Sequence, residues 1–480
     1  MAALQQPAAG DRTARLLPWL VAVAFFMQAL DTTILNTAVP AIAGAMHVTP
    51  LGVKSVLASY TLSLAVFIPI SGWMADRFGT RRVFAVAIGL FTLGSVLCGL
   101  STRIEVLVAC RVLQGMGGAM MMPVGRLTLA RTYGKADLVR VMSFVAVPSL
   151  VGPMIGPVAG GLLVTYVDWR AVFYVNVPVG LLGLYFVSRY LPDYREEKTS
   201  PLDFAGLVLF GGGIALLSYV LEVFGDHTLG TAPVAMLAVL SAVMLAGYAL
   251  RAAHTPFPLL DLGLFRRRTF RAAVSGGFFT RLGLGGIPFL FPLLYQVGLG
   301  FTPIQSGLLV LPQAIASMGM KTLMPSILAR LGYRTVLVGN TIVVGLMIAS
   351  FVTVGIDTPL WRVVLQAFVL GFFTSMQYTS MNTLVYADVE GHDTSAASTI
   401  AATGQQLAIS FGVAGAALIA ALFVPADRHS HPDAIVHGVQ QAFLVLGLLT
   451  VASSVVFMEL RPEDGAGLSQ HDSPHDRGEH

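Results

Sequence analysis

Charged residues are scarce in this chain of 480 residues: only 11% are Asp, Glu, Lys or Arg, whereas 55% are hydrophobic. A soluble domain is typically about a quarter charged, so the composition excludes an ordinary soluble protein. Cysteine is scarcer still, and two cysteines do not make a disulfide framework. Cys98 and Cys110 both lie in apolar stretches, and we interpret them as helix-packing residues.

Apolar residues occur in runs of about 20, the length that crosses roughly 30 Å of hydrocarbon as a helix. Continuous runs, rather than segments of alternating polarity, favour helices over a closed barrel. The sequence therefore predicts an all-α polytopic membrane protein with fourteen transmembrane helices. The predicted spans are 16–39, 53–73, 83–100, 105–130, 141–165, 171–190, 204–222, 232–250, 272–296, 304–325, 335–355, 361–386, 395–423 and 436–459.

The distribution of basic residues predicts the orientation in the membrane. With a cytoplasmic N-terminus, 20 of the 29 Lys and Arg residues fall in cytoplasmic segments, five fall outside and four lie within helices. This bias follows the positive-inside rule, so we expect both termini in the cytoplasm. The first apolar run is too long for the core of a cleavable signal peptide, and no signal peptide is expected.

Polar segments divide the chain into domains. We expect a cytoplasmic N-terminus (1–15), an N-terminal six-helix half (16–190), a cytoplasmic linker (191–203), an inserted helix pair (204–250), a basic cytoplasmic loop (251–271), a C-terminal six-helix half (272–460) and a disordered cytoplasmic tail (461–480). The arginines of the basic loop favour an anchor at the anionic inner leaflet over a nucleic-acid site. Histidines of the tail and the last outer loop lack the spacing of a fixed metal site, so no metal is expected.

A charged segment, Asp76-Arg77-Phe78-Gly79-Thr80-Arg81, follows the second predicted span. Gly79 permits a tight turn, and Arg77 and Arg81 hold that turn on the cytoplasmic side. Asp76 is an acceptor suited to the N-terminus of a neighbouring helix. The alternative interpretation is a positive-inside loop with a turn glycine and no further role.

The same pattern recurs after the tenth predicted span as Arg330-Leu331-Gly332-Tyr333-Arg334, in register but without the acid. Transporters are commonly built from internal repeats, and a repeated pattern indicates a duplicated architecture. Two six-helix halves and an inserted pair together give the fourteen predicted helices.

Two charged residues lie inside predicted membrane spans at similar depth. Asp31 is about nine residues from the outer end of the first span, and Arg111 is about six from the outer end of the fourth. At a rise of 1.5 Å per residue the two lie within about one helical turn of the same level. A charge inside hydrocarbon is a functional hypothesis by default, and pairing would relieve both desolvation penalties. A purely structural salt bridge is the alternative.

The fifth predicted span carries three glycines at four-residue spacing, all on the same helix face: Gly152, Gly156 and Gly160. Such a face allows close backbone approach to a neighbouring helix. Pro153 and Pro157 each remove a helical hydrogen bond and invite a bend. Packing alone explains a small-residue face of this kind in most membrane helices.

The segment 72–82 closely resembles motif A of the major facilitator superfamily, and the doubled Gly-Pro pattern resembles its motif C, which is associated with antiporters. From about Leu16 to Leu460 the chain resembles the fourteen-spanner drug:proton antiporters of the QacA/EmrB type. The resemblance implies a transporter of the bacterial inner membrane. It also implies that Asp31 is the proton-coupling acid, that Arg111 is the motif B arginine, and that Asp76 closes a cytoplasmic gate against the thirteenth helix.

The hypothesis that follows is proton-driven export of small molecules by alternating access, of the multidrug-efflux type. We expect it to need no cofactor, to act as a monomer in the lipid bilayer and to bind no nucleic acid. An alternative cargo is an organic anion such as a polycarboxylate or its metal chelate, because intramembrane Arg281 has no evident acidic partner. A sensor, an enzyme or a channel is the alternative from another class. The predicted cavity residues are Gln28, Gln114, Arg281, Gln377, Asn382, Arg126 and Lys321.

Overall fold

The structure, a computed structural model, describes residues 11–196, 199–226, 230–424 and 432–466. These residues form helices and connecting segments, with no strand among them. They pack into two units. The first unit runs to Ala215 and includes the short segment Phe301–Gly307, and the second unit comprises Leu216–Gly300 and the described chain from Leu308 onward. Parts of the predicted N-terminus, linker, last outer loop and tail lie outside the described ranges.

The helices of the first unit follow one another with short connections. They are α1 (Asp11–Ile34), α2 (Val39–Met46), α3 (Lys54–Phe78), α4 (Thr80–Leu100), α5 (Ile104–Thr132), α6 (Lys135–Tyr166), α7 (Ala171–Tyr174) and α8 (Asn176–Tyr190). The next helix, α9 (Phe204–Asp226), begins in the first unit and continues into the second.

The second unit holds the remaining helices. They are α10 (Thr231–His254), α11 (Arg268–Gly285), α12 (Ile287–Pro292), α13 (Pro303–Ser350, whose first residues belong to the first unit), α14 (Leu360–Leu384), α15 (Thr394–Leu422) and α16 (Pro432–Phe457). A π-helical turn, Leu293–Gly298, continues α12.

Thirteen segments of the described chain are long and apolar enough to cross a membrane, which confirms the all-helical polytopic fold. One of them, Pro303–Thr353, has 51 residues, more than twice the roughly 20 that a bilayer requires. Inside it, Gly332 has the non-helical angles φ 71° and ψ 161°. We interpret the segment as two helices that meet at Gly332, the glycine of the repeated motif. The count of fourteen spans stays a prediction.

The first span is longer than the sequence indicates. The predicted end lies at residue 39, whereas the helical segment extends from Leu16 to Met46. A 3₁₀ turn at Asn36–Ala38 joins α1 to α2, and Pro40 is the second residue of α2. Proline is tolerated in the first helical turn because its missing N–H has no partner there, so Pro40 begins a second helix instead of ending the span.

Close helix packing in the first unit surrounds the polar residues of α1, α4 and α5. Helix α1 packs on α6, and α5 packs on both α3 and α4. A methyl group added at Gly94 of α4 would lie 2.7 Å from the Cα atom of Gln114 in α5. Since such a contact is impossible for any larger residue, Gly94 allows α4 to approach α5 at the level of Gln114.

Candidate functional site

An ion pair between α1 and α5 forms the centre of the candidate site. The Nη1 atom of Arg111 lies 2.7 Å from Oδ2 of Asp31, and each side chain is only 1% exposed. The structure thus brings together the two intramembrane charges that the sequence places at similar depth. Their roles in proton coupling stay a prediction.

Two side-chain amides complete the environment of the Asp31 carboxylate. Its Oδ1 atom accepts hydrogen bonds from Nε2 of Gln114 at 2.8 Å and from Nδ2 of Asn176 at 2.9 Å. Gln114 also accepts from Nη1 of Arg111 at 2.7 Å and donates to the hydroxyl of Ser95 at 2.9 Å. The ion pair is therefore part of a network that joins α1, α4, α5 and α8.

The guanidinium group of Arg111 makes two further contacts with α3. Its Nε atom donates to the carbonyl of Val56 at 3.3 Å, and its Cζ atom lies 4.2 Å from the ring centroid of Tyr60. An arginine over an aromatic face gains a cation–π interaction that strengthens when water is excluded. Arg111 is held on several sides, so its position does not depend on Asp31 alone.

The net charge of the network depends on whether Asp31 carries a proton. With Asp31 ionised, the carboxylate and the guanidinium neutralise each other, which offsets the cost of placing charge in a low-dielectric interior. When Asp31 is protonated, the pair carries a net charge of +1. Arginine stays protonated in proteins, so Asp31 is the member of this pair that can exchange a proton.

The glycine face of α6 packs directly on the part of α1 that carries Asp31. A methyl group at Gly152 would lie 2.9 Å from the backbone nitrogen of Leu30, and one at Gly156 would lie 2.9 Å from Cβ of Thr33. Gly160 approaches Ile34 and Thr37 in the same way. Pro153 and Pro157 lie within α6, which continues through both. The backbones of α1 and α6 are therefore in contact on both sides of Asp31.

The second unit contains a buried arginine that has no charged partner among the described residues. Arg281 of α11 is 6% exposed, and its Nη2 atom donates to Oδ1 of Asn382 in α14 at 2.7 Å. The guanidinium Cζ atom lies 5.1 Å from the ring centroid of Tyr378. The Nε atom has no hydrogen-bond partner among the described residues, and none of their acidic groups forms an ion pair with Arg281.

A family model described as Major Facilitator Superfamily matches residues 21–413. The chain belongs to the major facilitator superfamily. Curated relatives named "Putative multidrug resistance protein MdtD" support this assignment. The relative from Pectobacterium carotovorum is 39% identical over 407 residues, which cover 84% of this chain and 87% of the relative. The relative from Serratia proteamaculans is 38% identical over 439 residues and covers 92% of each chain.

Solved structures of transporters have the same fold. The POT family transporter PepTSo aligns with a TM-score of 0.69 at 14% identity, over 96% of this chain and 99% of that chain. A D-xylose–proton symporter aligns with a TM-score of 0.66 at 12% identity, over 94% and 99% of the two chains. At these identities the likeness establishes the fold. The relatives and these neighbours are transporters rather than enzymes, so this superfamily member is a multi-pass membrane transporter.

Asp76, in the segment that resembles motif A, belongs to a charged cluster at the end of α3. Oδ1 of Asp76 accepts from Nη2 of Arg131 at 2.8 Å, and Arg131 also pairs with Glu196 at 2.8 Å. The backbone N–H of Glu196 donates to the carbonyl of Asp76 at 3.0 Å. Arg131 is thus the partner of Asp76 within the first unit. The gate contact with the thirteenth predicted helix would join the two units, and it stays a prediction.

The turn after α3 is covered by the start of the predicted linker. Gly79 has a φ of 94°, which only glycine adopts readily. Oδ1 of Asp193 accepts from the backbone N–H of Arg81 at 3.1 Å, and Thr80 exchanges hydrogen bonds with Tyr194. Arg77 is exposed. The linker residues up to 196 are therefore docked on motif A.

The remaining predicted cavity residues lie in different environments. Gln28 is buried and its Oε1 has no partner among the described residues. Gln377 is fully buried and bonds to Asn340 and Thr341 of α13, at 2.7 Å each. Asn382, Arg126 and Lys321 are exposed. Gln377 thus makes helix–helix contacts within its unit, and the cavity role of all these residues stays a prediction.

The arginines of the basic loop have acidic partners in the second unit. Arg267 pairs with Asp393 at 2.5 Å, Arg268 pairs with Asp464 at 2.5 Å, and Arg271 pairs with Glu459. Asp393 immediately precedes α15, but its side chain makes no capping hydrogen bond. Sequence reasoning assigned this charge to the membrane surface and missed the acids that neutralise part of it.

Sequence reasoning also missed Asn176, Tyr60 and Ser95 in the charge network. An asparagine inside an apolar span is costly unless it has a partner, so Asn176 could have been predicted to contact a polar group. Tyrosine and serine are common in membrane helices, so nothing in the sequence indicated that Tyr60 and Ser95 belong to the network. Among the described residues no cluster of three or more His, Cys, Asp or Glu side chains has the arrangement of a metal site.

Proposed function

We propose that this transporter is a proton-coupled exporter of small molecules, an antiporter that works by alternating access as a monomer. We place it in the bacterial inner membrane with both termini in the cytoplasm. The observation that carries the proposal is the Asp31 carboxylate, 1% exposed within a membrane-spanning helix and paired with Arg111 at 2.7 Å. Ionisable residues at such positions commonly mark proton pathways.

The pair has the chemistry that proton coupling requires. Asp31 is ionised when Arg111 neutralises it, and a proton from outside converts the pair from neutral to a net charge of +1. In a low-dielectric interior a change of one unit charge alters the relative free energies of conformations strongly. Binding and release of one proton can therefore bias the two access states, as a ligand with different affinities for two states does.

Close packing between α1 and α6 links the movements of these two helices. The face formed by Gly152, Gly156 and Gly160 leaves no room for side chains between the two backbones. A change at Asp31 that moves α1 must therefore move α6 as well. This face is the motif C pattern, whose resemblance is to antiporters, and the relatives' printed name as multidrug resistance proteins agrees with export.

The rival explanation is that the ion pair only holds the helices together. The two explanations are separated by measuring uptake into inside-out vesicles under an imposed pH gradient. The compounds to be screened are cationic drugs and organic acids. We expect Asp31→Asn to abolish gradient-driven uptake while the protein still inserts, because asparagine keeps the size of the side chain but carries no exchangeable proton. The matched control is Asp168→Asn, which changes an exposed acid of the same unit that binds the backbone of Arg170.

Asp31→Asn also leaves Arg111 without a countercharge, and this effect is removed in the double variant Asp31→Asn/Arg111→Gln. We expect the double variant to recover thermal stability but not gradient-driven uptake. Recovery of uptake together with stability would show that the pair is structural. Uptake at the wild-type rate in Asp31→Asn would contradict the coupling role directly.

An organic anion is the second candidate for the cargo, because of Arg281. An isolated guanidinium buried in a membrane helix is costly, and within the described residues Arg281 donates a hydrogen bond to an amide and lies beside a phenol ring. A carboxylate of a substrate would supply the missing negative charge, and the planar guanidinium binds carboxylates with two parallel hydrogen bonds. The amide of the neighbouring Asn382 would fix the orientation of the bound carboxylate.

Competition in proteoliposomes tests this candidate. A polycarboxylate should drive proton movement in the wild type, and Arg281→Gln should remove that response. The matched control is Arg330→Gln, which removes an exposed cation of the same unit that is not among the predicted cavity residues. If only lipophilic cations drive proton movement and Arg281→Gln has no effect, the anion is excluded and a general drug exporter remains.

A further inference from the structure

Each hydrogen bond that the Asp31 carboxylate makes with the described residues comes from a nitrogen donor. Oδ2 accepts from Arg111, and Oδ1 accepts from Gln114 and Asn176. This arrangement suits an ionised carboxylate, which only accepts hydrogen bonds. A protonated carboxyl group carries one O–H donor, and a buried donor without an acceptor is costly. Proton binding at Asp31 therefore requires at least one neighbour to change.

Of the two carboxylate oxygens of Asp31, Oδ1 is the one suited to bind the proton. Oδ2 faces Nη1 of Arg111, which has no lone pair to offer and does not lose its proton. Oδ1 faces two side-chain amides, and an amide can present either its NH₂ group or its carbonyl oxygen when it rotates by about 180°. One of these two amides must supply the acceptor.

The two amides differ in their freedom to rotate. Gln114 is held at both ends, because its Oε1 accepts from Arg111 at 2.7 Å and its Nε2 also donates to Ser95 at 2.9 Å. Reversal would direct its NH₂ group at the guanidinium. Asn176, 1% exposed, is held only through its Nδ2 atom. Its Oδ1 atom has no hydrogen-bond partner among the described residues, so reversal breaks no other hydrogen bond of this amide.

We propose that Asn176 is the positioning residue for proton binding: its side-chain amide donates to ionised Asp31 and reverses to accept from protonated Asp31. The proposal rests on the function proposed above for Asp31. In the step a proton adds to Oδ1 of Asp31, the hydrogen bond from Nδ2 of Asn176 breaks, and a new hydrogen bond forms from the Asp31 hydroxyl to Oδ1 of Asn176. No electron transfer and no other reactant is involved.

The other ionisable groups around Asp31 do not supply the acceptor. Arg111 of α5 is a donor only. Tyr60 of α3 faces the guanidinium of Arg111 with its ring. Cys98 of α4 lies with its Sγ atom 3.8 Å from Oε1 of Gln114. No hydrogen bond from Tyr60 or Cys98 reaches Asp31 in the described structure, and α6 contributes its glycine face to this part of α1.

Infrared difference spectroscopy of the reconstituted full chain tests the proposal without any transport measurement. Asparagine labelled with ¹³C at its side-chain carbonyl marks only four residues, Asn36, Asn176, Asn340 and Asn382. We expect one labelled carbonyl band to shift to lower frequency as the carboxyl band of Asp31 appears on acidification. That band should be absent from Asn176→Leu and should not move in Asp31→Gln.

The pH midpoint of the Asp31 carboxyl band gives a second readout. A hydrogen bond to a charged group is about twice as strong as a neutral one, so Asn176 favours the ionised form, and Asn176→Leu should move the midpoint upward by roughly half a pH unit to one unit. The matched control is Ser95→Ala. This substitution removes the hydrogen bond from Gln114 to Ser95 but no hydrogen bond of Asp31, so it should shift the pH midpoint much less. If Asn176→Leu does not fold, Asn176→Ser replaces it.

The outcomes separate this inference from the proposed function. A carboxyl band that titrates while all labelled carbonyl bands stay fixed overturns the role of Asn176 only. Bands that titrate together in a protein whose transport is not proton-driven overturn the proposed function and support the reversal of the amide. The absence of any titrating carboxyl band in the wild type overturns both.

Discussion

In the first unit a buried carboxylate and a buried guanidinium neutralise each other, whereas in the second unit the buried guanidinium of Arg281 contacts an amide and a phenol ring. The difference extends to the repeated cytoplasmic motif. The first copy carries Asp76, which pairs with Arg131, and the second copy has Ala329 at that place. Both copies of the motif have a glycine at a positive φ, whereas the acid is present only in the first copy.

This asymmetry indicates a division of labour between the two units. In the first unit Asp31 and Arg111 neutralise each other, which suits a group that must hold or release a proton in place. The second unit leaves a cation whose countercharge none of its described residues supplies, which suits contact with a ligand. Matched substitutions in the two units test this difference in how buried charges are satisfied.

The largest expected difference is between Arg111→Gln and Arg281→Gln. Removal of one partner from a buried ion pair leaves an uncompensated charge and costs about 3–5 kcal/mol, so Arg111→Gln should lower the unfolding temperature strongly. Arg281→Gln removes a charge that has no ionic partner and should change stability by no more than about 1 kcal/mol. Thermal unfolding of both purified variants in the same detergent is the measurement. Equal destabilisation would show that Arg281 is satisfied as fully as Arg111.

Gly156→Ala and Gly415→Ala should differ by a smaller amount. The added methyl group at Gly156 would overlap Thr33 of α1, whereas at Gly415 of α15 no atom lies within 4 Å. Overpacking of this kind costs about 1–3 kcal/mol. We expect Gly156→Ala to lower both the unfolding temperature and the transport rate, and Gly415→Ala to leave both unchanged. Wild-type behaviour of Gly156→Ala would mean that α1 and α6 separate easily.

The two turn glycines offer a finer comparison. Gly79 has a φ of 94° and Gly332 a φ of 71°, and alanine at a positive φ costs roughly 1 kcal/mol or more. At Gly332 the nearest atom to an added methyl group, the carbonyl oxygen of Pro462, is 3.7 Å away, whereas at Gly79 the carboxylate of Asp193 would have to move. Gly79→Ala should therefore lower the unfolding temperature more than Gly332→Ala. The reverse order would contradict the docking of the linker on this turn.

The smallest expected effect is that of Asp76→Ala on the resting conformation. If Asp76 closes the cytoplasmic gate against a helix N-terminus, its loss costs about 1 kcal/mol and shifts the population toward inward-open states. Labelling of Lys321→Cys from the cytoplasmic side should then increase, with little background because Cys98 and Cys110 are buried. Glu196→Ala is the matched control, since it removes the other acid on Arg131 and leaves Asp76. Unchanged labelling in both variants would refute the gate.

Much of the fold could be predicted from the sequence, because a membrane span needs a long apolar run and few charges. Segments such as 105–130 and 361–386 lie within two residues of the observed helices Ile104–Thr132 and Leu360–Leu384. The extension of the first span through α2 was not predicted, because Pro40 can end one helix or begin another. The docking of residues 191–196 on the turn at Gly79 was missed as well, since backbone hydrogen bonds in a polar linker leave no compositional signal.

The centre of the candidate site was only partly predictable. Asp31 and Arg111 could be matched by depth, because charges are rare inside spans and their distance along each helix is known. The amides around them could not be placed, since the rotation of each helix about its axis decides whether Gln114 or Asn176 points at Asp31. Arg131 was counted as a positive-inside residue, and nothing in its position indicated Asp76 as its partner.

The most direct test of proton coupling at Asp31 is to measure substrate exchange and proton-driven transport together in proteoliposomes that contain Asp31→Asn/Arg111→Gln. We predict that the variant exchanges labelled for unlabelled substrate across the membrane but no longer moves substrate in response to a pH gradient. Proton-driven transport at the wild-type rate in this variant would contradict the coupling role of Asp31.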